Sequence, residues 1–592
     1  MVSSTDTLSQ SLKQAVLAYS AGDLERTEDL CRRIIEKRRD YFEALHLLAV
    51  AQAKQGKNNE ALTHYDRALN VRPDYAQTLN NRAVALYELK RYSEALASYD
   101  QALIVQPDYA EAHCGRGKTL AKLTRFEEAI ESYDNALRER PHYAEAHYGR
   151  GNILKSLKRF DEALISYEHA IASRSNFAEA YNNRGNTLKE LNRLEHALGD
   201  YDCALSIRPD YYQALNNRGV VLHELMRLDD ALTNYDRALE MHPGNAELHY
   251  NRGVTLKEMG RFGEAIACYE RALTFQPDHA IAHWNESVLR LLTGDFKCGW
   301  EKHEWRWASE QAKAEKRNFE QPLWLGQDSI AGKTIFLHSE QGYGDTIQFC
   351  RYVPLVANRG ARVLLEMPKP LHALMGELGG SSEIFVRGSK LPKFDFHCPL
   401  LSLPLAFGTR LETIPSATYL SGASLDKGHW GSVLASRRRP LVGLVWSGRA
   451  NHRNDHNRSM SLRTLLPLTD LDATFVSVQK DVRPDDAAVL KEQKDLIHLG
   501  DQLKNFSDTA ALILNLDVVI SVDTSVAHLA GALGVPVWIM LPFIPDWRWL
   551  LDRDDSPWYP TARLFRQDQT RSWDNLIPRV RAALLNFLND RT

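Results

Sequence analysis

At 592 residues the chain is too long for one hydrophobic core and is expected to divide into three or so units. Its 44% apolar and 25% charged residues are those of a globular protein, and a net charge of −3 excludes a global field that would gather nucleic acid or an anionic membrane. The polar start MVSSTDTLSQSLKQ lacks a signal-peptide core, and the most apolar stretch is interrupted by Asp517 and Asp523, so a cytoplasmic location without a membrane segment is expected.

Residues 1–41 read as a degenerate first repeat, with GDLERTEDLCRRII (22–35) as its second helix. From 42 to 279 a period of 34 residues organises seven units. Pro73, Pro107, Pro141, Pro209, Pro243 and Pro277 lie on that grid, and Ser175 breaks it. Gly117, Gly151, Gly185, Gly219 and Gly253 share a small-residue column with Ala49 and Ala83. Tyrosines from Tyr65 to Tyr269 and alanines from Ala68 to Ala272 fill two more columns. Small residues let two helices approach, tyrosine fills the gap between them, and proline ends the second helix. These columns resemble the tetratricopeptide repeat. The resemblance implies an all-α superhelix whose first helices line a concave, peptide-binding face.

Three further columns bear on function. Asn81, Asn183, Asn217, Asn251 and Asn285 share one position, interrupted by Gly115 and Gly149. An asparagine amide both donates and accepts, so a ladder of them can hold peptide backbone without reading sequence; equally, it can bond neighbouring repeats. Such a ladder resembles the repeat arm of O-GlcNAc transferases, which implies a protein acceptor bound there. Arg82, Arg116, Arg150, Arg184, Arg218 and Arg252 recur beside Asp100, Asp134, Glu168, Asp202, Asp236 and Glu270, and stacked ion pairs between helices account for both columns. His113, His147, His249 and His283 repeat as well, which argues for packing rather than catalysis. Residues 280–330 are a partial repeat and linker, carrying the aromatic run CGWEKHEWRW (298–307).

Beyond residue 330 the period is lost and strand-length apolar runs alternate with helical segments, as in a parallel α/β domain. TIFLH (334–338), RVLLEM (362–367), EIFVRG (383–388) and DFHCPL (395–400) belong to a first Rossmann-like half, 331–430, with DTIQFCRYVPLVANRG (345–360) as a helix. PLVGLVWSG (440–448), TFVSVQK (474–480), VVISVD (518–523) and VPVWIML (535–541) belong to a second, 431–592, closed by a helix over 572–588. Ligands of such sheets bind beyond the carboxyl ends of the strands, where four turns lie. EQGYGDT (340–346) offers Gly342, Gly344 and Asp345, the last either a helix cap or a base for an attacking hydroxyl. WSGRANHRNDHNRSMSL (446–462) offers Ser447, Gly448 and the cations Arg449, Arg453 and Arg458, either solvated or clasping phosphate. SVQKDV (477–482) offers Gln479 and Lys480. In SVDTSVAHLAGALG (521–534), Asp523 ends a strand and Thr524 and Ser525 open a helix whose dipole favours an anion; His528 follows one turn in, as ligand contact or packing.

In this order the turns resemble GT-B glycosyltransferases of the heptosyltransferase-like families, over residues 332–580. The match is closest to bacterial proteins with tetratricopeptide repeats ahead of such a domain, some of them flagellin glycosyltransferases; the aromatic tail 542–567 is also typical of them. The resemblance implies Asp345 as base and Asp523, Thr524, Ser525 and His528, with Arg458, as the nucleotide-sugar phosphate site. Ser525 replaces the glycine that often follows D-T in the family. The function expected is transfer of a sugar from a nucleotide-sugar to hydroxyls of a protein acceptor, inverting and metal-independent, with no cofactor and no nucleic acid. A transferase acting on a glycan or lipid-linked sugar, and a non-catalytic scaffold with a decayed domain, are the alternatives. The D-x-D triplet at Asp552 and Asp554 lies far past the cleft turns, so no metal is expected there. The seven scattered cysteines form no C-x-x-C or zinc spacing and are expected as reduced thiols.

Overall fold

The computed structural model describes residues 4–308, 316–423, 425–452 and 454–590. It divides into two compact units, Met1–Pro243 and Gly244–Thr592, rather than three.

The first unit is built of paired helices, such as Ala76–Glu88 with Tyr92–Val105. The looser N-terminal unit is a helix pair too, Ser4–Ser20 and Leu24–Lys37. Between the two helices of each pair the chain passes through one residue of positive φ. Gly22 and Gly56 fill this place first, then Lys90, Thr124, Lys158, Asn192 and Met226 at φ near 60°. The position recurs every 34 residues and continues into the second unit at Gly260 and Gly294. A side chain there crowds the carbonyl that follows, so five repeats hold a strained turn where glycine would fit without cost.

The arginine column forms the expected ion pairs. Arg82, Arg116, Arg150 and Arg218 reach Asp66, Asp100, Asp134 and Asp202 on the preceding helix at 2.7–2.8 Å. The other guanidinium edge of the first three bonds Ser98, Ser132 and Ser166 in the repeat's own second helix. One repeat departs: Asp200 stands where those serines stand, and Arg184 turns to it in a two-pronged pair instead of to Glu168. The repeated histidines are structural. His113, His147 and His283 each bond the carbonyl of the proline six residues earlier, at 2.8–2.9 Å.

The second unit begins inside the repeat array. Ala246–Glu258 and Phe262–Phe275 form its first pair, and Ala280–Leu292 with Phe296–His303 a shortened second. Two parallel sheets follow. The first contains β1 (Thr334–His338), β2 (Arg362–Met367), β3 (Glu383–Val386) and β4 (Phe396–Pro399), in the order β3-β2-β1-β4. The second contains β5 (Leu441–Val445), β6 (Thr474–Ser477), β7 (Leu496–His498), β8 (Val518–Val522), β9 (Val537–Leu541) and β10 (Ala562–Arg566), in the order β10-β9-β8-β5-β6-β7. Counted from its own start, the second sheet has the doubly wound order 3-2-1-4-5-6, and the first is a shortened copy. The helix Trp573–Asn589 covers the larger sheet, setting Leu576, Ile577, Val580 and Leu584 into its core.

Strands β7 and β10 were not expected from sequence. The helix read over 345–360 is broken into Tyr343–Phe349, a 3-10 turn Cys350–Tyr352 and Val353–Ala357. Pro354 supplies no N–H to continue the ladder, which ends the first helix early. All seven cysteines are free, Cys31, Cys268, Cys350 and Cys398 buried. Among the described residues no helix is long and apolar enough to cross a membrane.

Candidate functional site

In a doubly wound sheet the crevice opens where strand order reverses. In the larger sheet that point lies between β5 and β8, and the turns that leave them carry Ser447–Arg458 and Asp523–Ser525. In the smaller sheet it lies between β1 and β4, and the turn after β1 carries Gly342–Asp345. These turns line one open cleft of about 1560 Å³.

Two short helices meet at its floor. Tyr343–Phe349 and Ser525–Ala532 pack together. A Cβ on Gly344 would lie 2.9 Å from the His528 ring and 3.7 Å from Ser525 Cα, so glycine is what lets the two starts approach. Thr524 stands at the N-cap of Ser525–Ala532, but its side chain makes no capping bond there; its hydroxyl is 3.1 Å from Ser521 Oγ. The first amides of this helix are therefore left open to the cleft.

Arg458 stands over that opening. Its Nη1 donates to the Asp523 carbonyl at 3.3 Å, and Asp455 is 3.9 Å from its Nε. Asp455 is itself held by Ser459 and Arg483. Buried Nε of Arg458 and buried Oγ of Ser447 have no hydrogen-bond partner among the described residues. Gly448 is the base of this arrangement: a Cβ there would meet the guanidinium at 2.6 Å. Arg449 reaches instead across to the Tyr343 hydroxyl, at 3.5 Å. Arg453 lies outside the described residues.

Asp345 sits beside this site with both carboxylate oxygens engaged. Oδ2 accepts from the Gly342 amide at 2.8 Å, so it does cap its helix, and Oδ1 pairs with Arg548. Arg548 also holds Asp546 at 2.7 Å and Gln348 Oε1 at 2.5 Å. His528 is buried, 2.9 Å from the Tyr559 hydroxyl through Nδ1 and 3.8 Å from Asp523 through Nε2. Burial, and then the nearby Arg548, Arg351 and Arg458, hold its imidazole well below the ordinary histidine range, so it is neutral at pH 7. Asp523 moves the other way. Burial, then the like charge of Asp546, push its carboxyl up to about 6.

Gln479 and Lys480 also line the cleft, and both have structural ties. The Gln479 amide accepts from the Trp446 and Ser447 amides at 3.2 and 3.1 Å and donates to the Ser447 carbonyl, fixing the path after β5. Lys480 donates to the Lys504 carbonyl at 3.2 Å. Asp552 and Asp554 do not line the cleft; their charges act on Arg566. Among the described residues no group of three His, Cys, Asp or Glu side chains is placed to hold a metal.

The asparagine column is partly committed within the repeats. Asn183 gives both amide hydrogens away, to Tyr148 and Asn152 at 2.9 Å, and accepts from Asn182 at 3.1 Å. One acceptor position remains. Asn217 donates once, to Asn182, and Asn285 once, to Tyr250. Asn81 accepts from Asn80 at 3.5 Å, and Asn251 is also engaged. The two gaps have a steric cause. A Cβ at Gly115 or Gly149 would lie 2.5 Å from the ring of Tyr99 or Tyr133, which leans into the vacant place.

Sequence reasoning missed Arg548, Asp546 and Tyr559, which clasp Asp345 and His528. They come from the irregular segment after β9, whose only signal was its aromatic content.

The repeat portion matches models described as tetratricopeptide repeat over residues 114–179, 178–211 and 210–278, and as TPR repeat over 51–90 and 85–124. Among curated proteins, the chain is 25% identical to Protein FlbA of Caulobacter vibrioides over 326 residues, 51% of this chain and 54% of that protein. The chain thus spans about half the length of this relative. Among solved structures, YrrB, described as a TPR protein with an unusual peptide-binding site, is 25% identical at a TM-score of 0.29, over 32% of this chain and 98% of that one. A tetratricopeptide repeat protein of Parabacteroides merdae is 21% identical at a TM-score of 0.36, over 42% of this chain and 99% of that one. Residues 51–278 of the chain are tetratricopeptide repeats, followed by a domain of two parallel sheets.

Proposed function

We propose that the protein is a GT-B glycosyltransferase that moves a sugar from a nucleotide-sugar to a hydroxyl of a protein held by its repeats. The observation that carries this reading is the open start of Ser525–Ala532 under Arg458, with the unpartnered Ser447 Oγ and Arg458 Nε beside it. Amides, a hydroxyl and a guanidinium converging at a strand-order reversal form a seat for the phosphate of a nucleotide. Asp345 lies next to that seat, where a sugar linked to the phosphate would present its anomeric carbon. In the reaction the acceptor oxygen bonds to that carbon, the carbon–oxygen bond to phosphate breaks, and its electron pair goes to the phosphate under Arg458. The hydroxyl proton passes to Asp345, which must first loosen from Arg548. Attack opposite to the leaving phosphate inverts the anomeric centre. The resemblance of the sequence to flagellin glycosyltransferases makes flagellin the first acceptor to try.

One observation favours a second reading, a scaffold without catalysis: both oxygens of Asp345 are already engaged. Nucleotide release from a panel of nucleotide-sugars, by the wild type and Asp345→Asn, separates the two. The enzyme reading expects one donor to turn over and the variant to lose ~10²–10⁴-fold in rate with donor affinity nearly intact. Near-wild-type turnover in the variant removes Asp345 as base; no binding of any nucleotide leaves the scaffold. Intact masses of secreted and flagellar proteins with and without the gene then identify the acceptor.

A further inference from the structure

We infer that the last repeats form the acceptor side of the cleft, where Lys257 binds a carboxylate of the protein segment that carries the reacting hydroxyl. The inference rests on the transferase reading and names a recognition element within it.

Lys257 lies near the end of the helix Ala246–Glu258, half-buried, and lines the cleft. Its ammonium makes no hydrogen bond or ion pair among the described residues. The one carboxylate acting on it, the adjacent Glu258, is already clasped by Arg571, which takes both its side chain and its carbonyl. Burial accordingly draws the Lys257 ammonium below its ordinary range. A half-buried lysine without a counter-ion is costly in a finished fold, and an anion entering the cleft removes that cost.

The surroundings point to peptide rather than phosphate. Trp284 and Val288, one turn apart on Ala280–Leu292, are half-buried and line the same cleft. Their helix packs against Trp547–Trp549, the turn whose Arg548 grips Asp345. The wall is thus built onto the element that holds the proposed base. It offers an aromatic and an aliphatic face with one cation, which suits side chains of an extended acidic segment. The phosphates already have Arg458 and the open helix start. The wall is also fixed: Arg571 pins Glu258 and lies 5.1 Å over the Phe543 ring, another cleft residue.

Competitive acetylation of the full-length protein by acetic anhydride, read at Lys257 by mass spectrometry, tests this. The probes are the peptide AADASADAA, its counterpart AANASANAA, and uridine diphosphate. The acidic peptide is expected to slow acetylation of Lys257 about fivefold or more, and the other two to leave it unchanged. Binding of the fluorescein-labelled acidic peptide should weaken about tenfold in Lys257→Gln and recover in Lys257→Arg, at constant nucleotide affinity. Protection by uridine diphosphate would move Lys257 to the donor. Equal protection by both peptides, or none by either, would also overturn the proposal. Failure of the transferase reading looks different: the wild type then binds no nucleotide, while the peptide arms remain readable.

Discussion

Asp523→Asn is expected to stabilise the second unit at neutral pH while impairing the site. The sign follows from the folded carboxyl being raised to about 6, against about 3.9 in the unfolded chain. Below the unfolded value both states are protonated, and the wild type behaves like the asparagine variant. As pH rises from the unfolded value to the folded one, the unfolded chain gains the free energy of ionisation that the enclosed carboxyl resists, so wild-type stability falls across this window and levels off above the folded value. A displacement of that size amounts to at most about 3 kcal/mol, reduced because 15% of the side chain still meets solvent. The assay is urea unfolding at a series of pH values, followed by tryptophan fluorescence. All 12 tryptophans lie at or beyond Trp284, so the signal reports the second unit alone. The variant and wild type should coincide near pH 3.5 and separate through pH 6, the variant being the more stable. A variant that is less stable at pH 8, or a gap that does not change with pH, would refute the reasoning. Nucleotide-sugar turnover should fall in the same variant, since a carboxylate kept at such a cost without a task would be readily replaced.

Two further outcomes are expected. Arg458→Ala should weaken nucleoside diphosphate binding by ~1–3 kcal/mol in calorimetry, the loss of a charge-assisted contact; unchanged affinity for every nucleotide tried would remove Arg458 from the phosphate seat. Met226→Gly, at a turn of φ 60°, should raise the stability of the first unit by up to about 1 kcal/mol, seen as a higher urea midpoint by circular dichroism at helix wavelengths; no change or a loss would mean that the turn is unstrained.

What could be read from sequence tracks how completely an element is buried. β1, β2 and β8 are enclosed on both faces and announced themselves as continuous apolar runs. β7 and β10 lie at the two edges of the larger sheet. One is only the three residues Leu496–His498, and the other, Ala562–Arg566, has its short apolar run broken by Arg563 and Arg566, so neither stood out. Turns that leave buried strands were legible because the fold places them at the cleft. Arg548 and Tyr559 were not, since their segment has no period and meets Asp345 and His528 only in three dimensions. Lys257 was hidden by the repeat itself: Lys155 and Lys189 occupy the same repeat position, and nothing in a column shows which member reaches a cleft.

The arginines of the chain fall into two kinds that differ in what they cost the fold. In the repeats, Arg116 and Arg150 are about a quarter exposed and paired with carboxylates that are half exposed. Such pairs lose little hydration on folding and gain little, and their work is to set the register of neighbouring helices. Around the two helix starts the pattern reverses. Arg351 is buried with no carboxylate partner among the described residues, held by the carbonyls of Gln348, Pro415 and Trp558 and flanked by the rings of Tyr419 and Tyr559. Arg548 is buried between Asp345 and Asp546, His528 is kept neutral, and Asp523 resists ionisation. Replacing such groups by apolar residues of similar volume would be neutral or stabilising for a fold that had only to stand. Buried charges elsewhere, Arg306 with Glu340 and Glu286 with Arg290 and Lys302, are matched in pairs; the cluster at the helix start, with Asp523 and His528 shifted in opposite directions, is the one on which the proposed transferase reading draws.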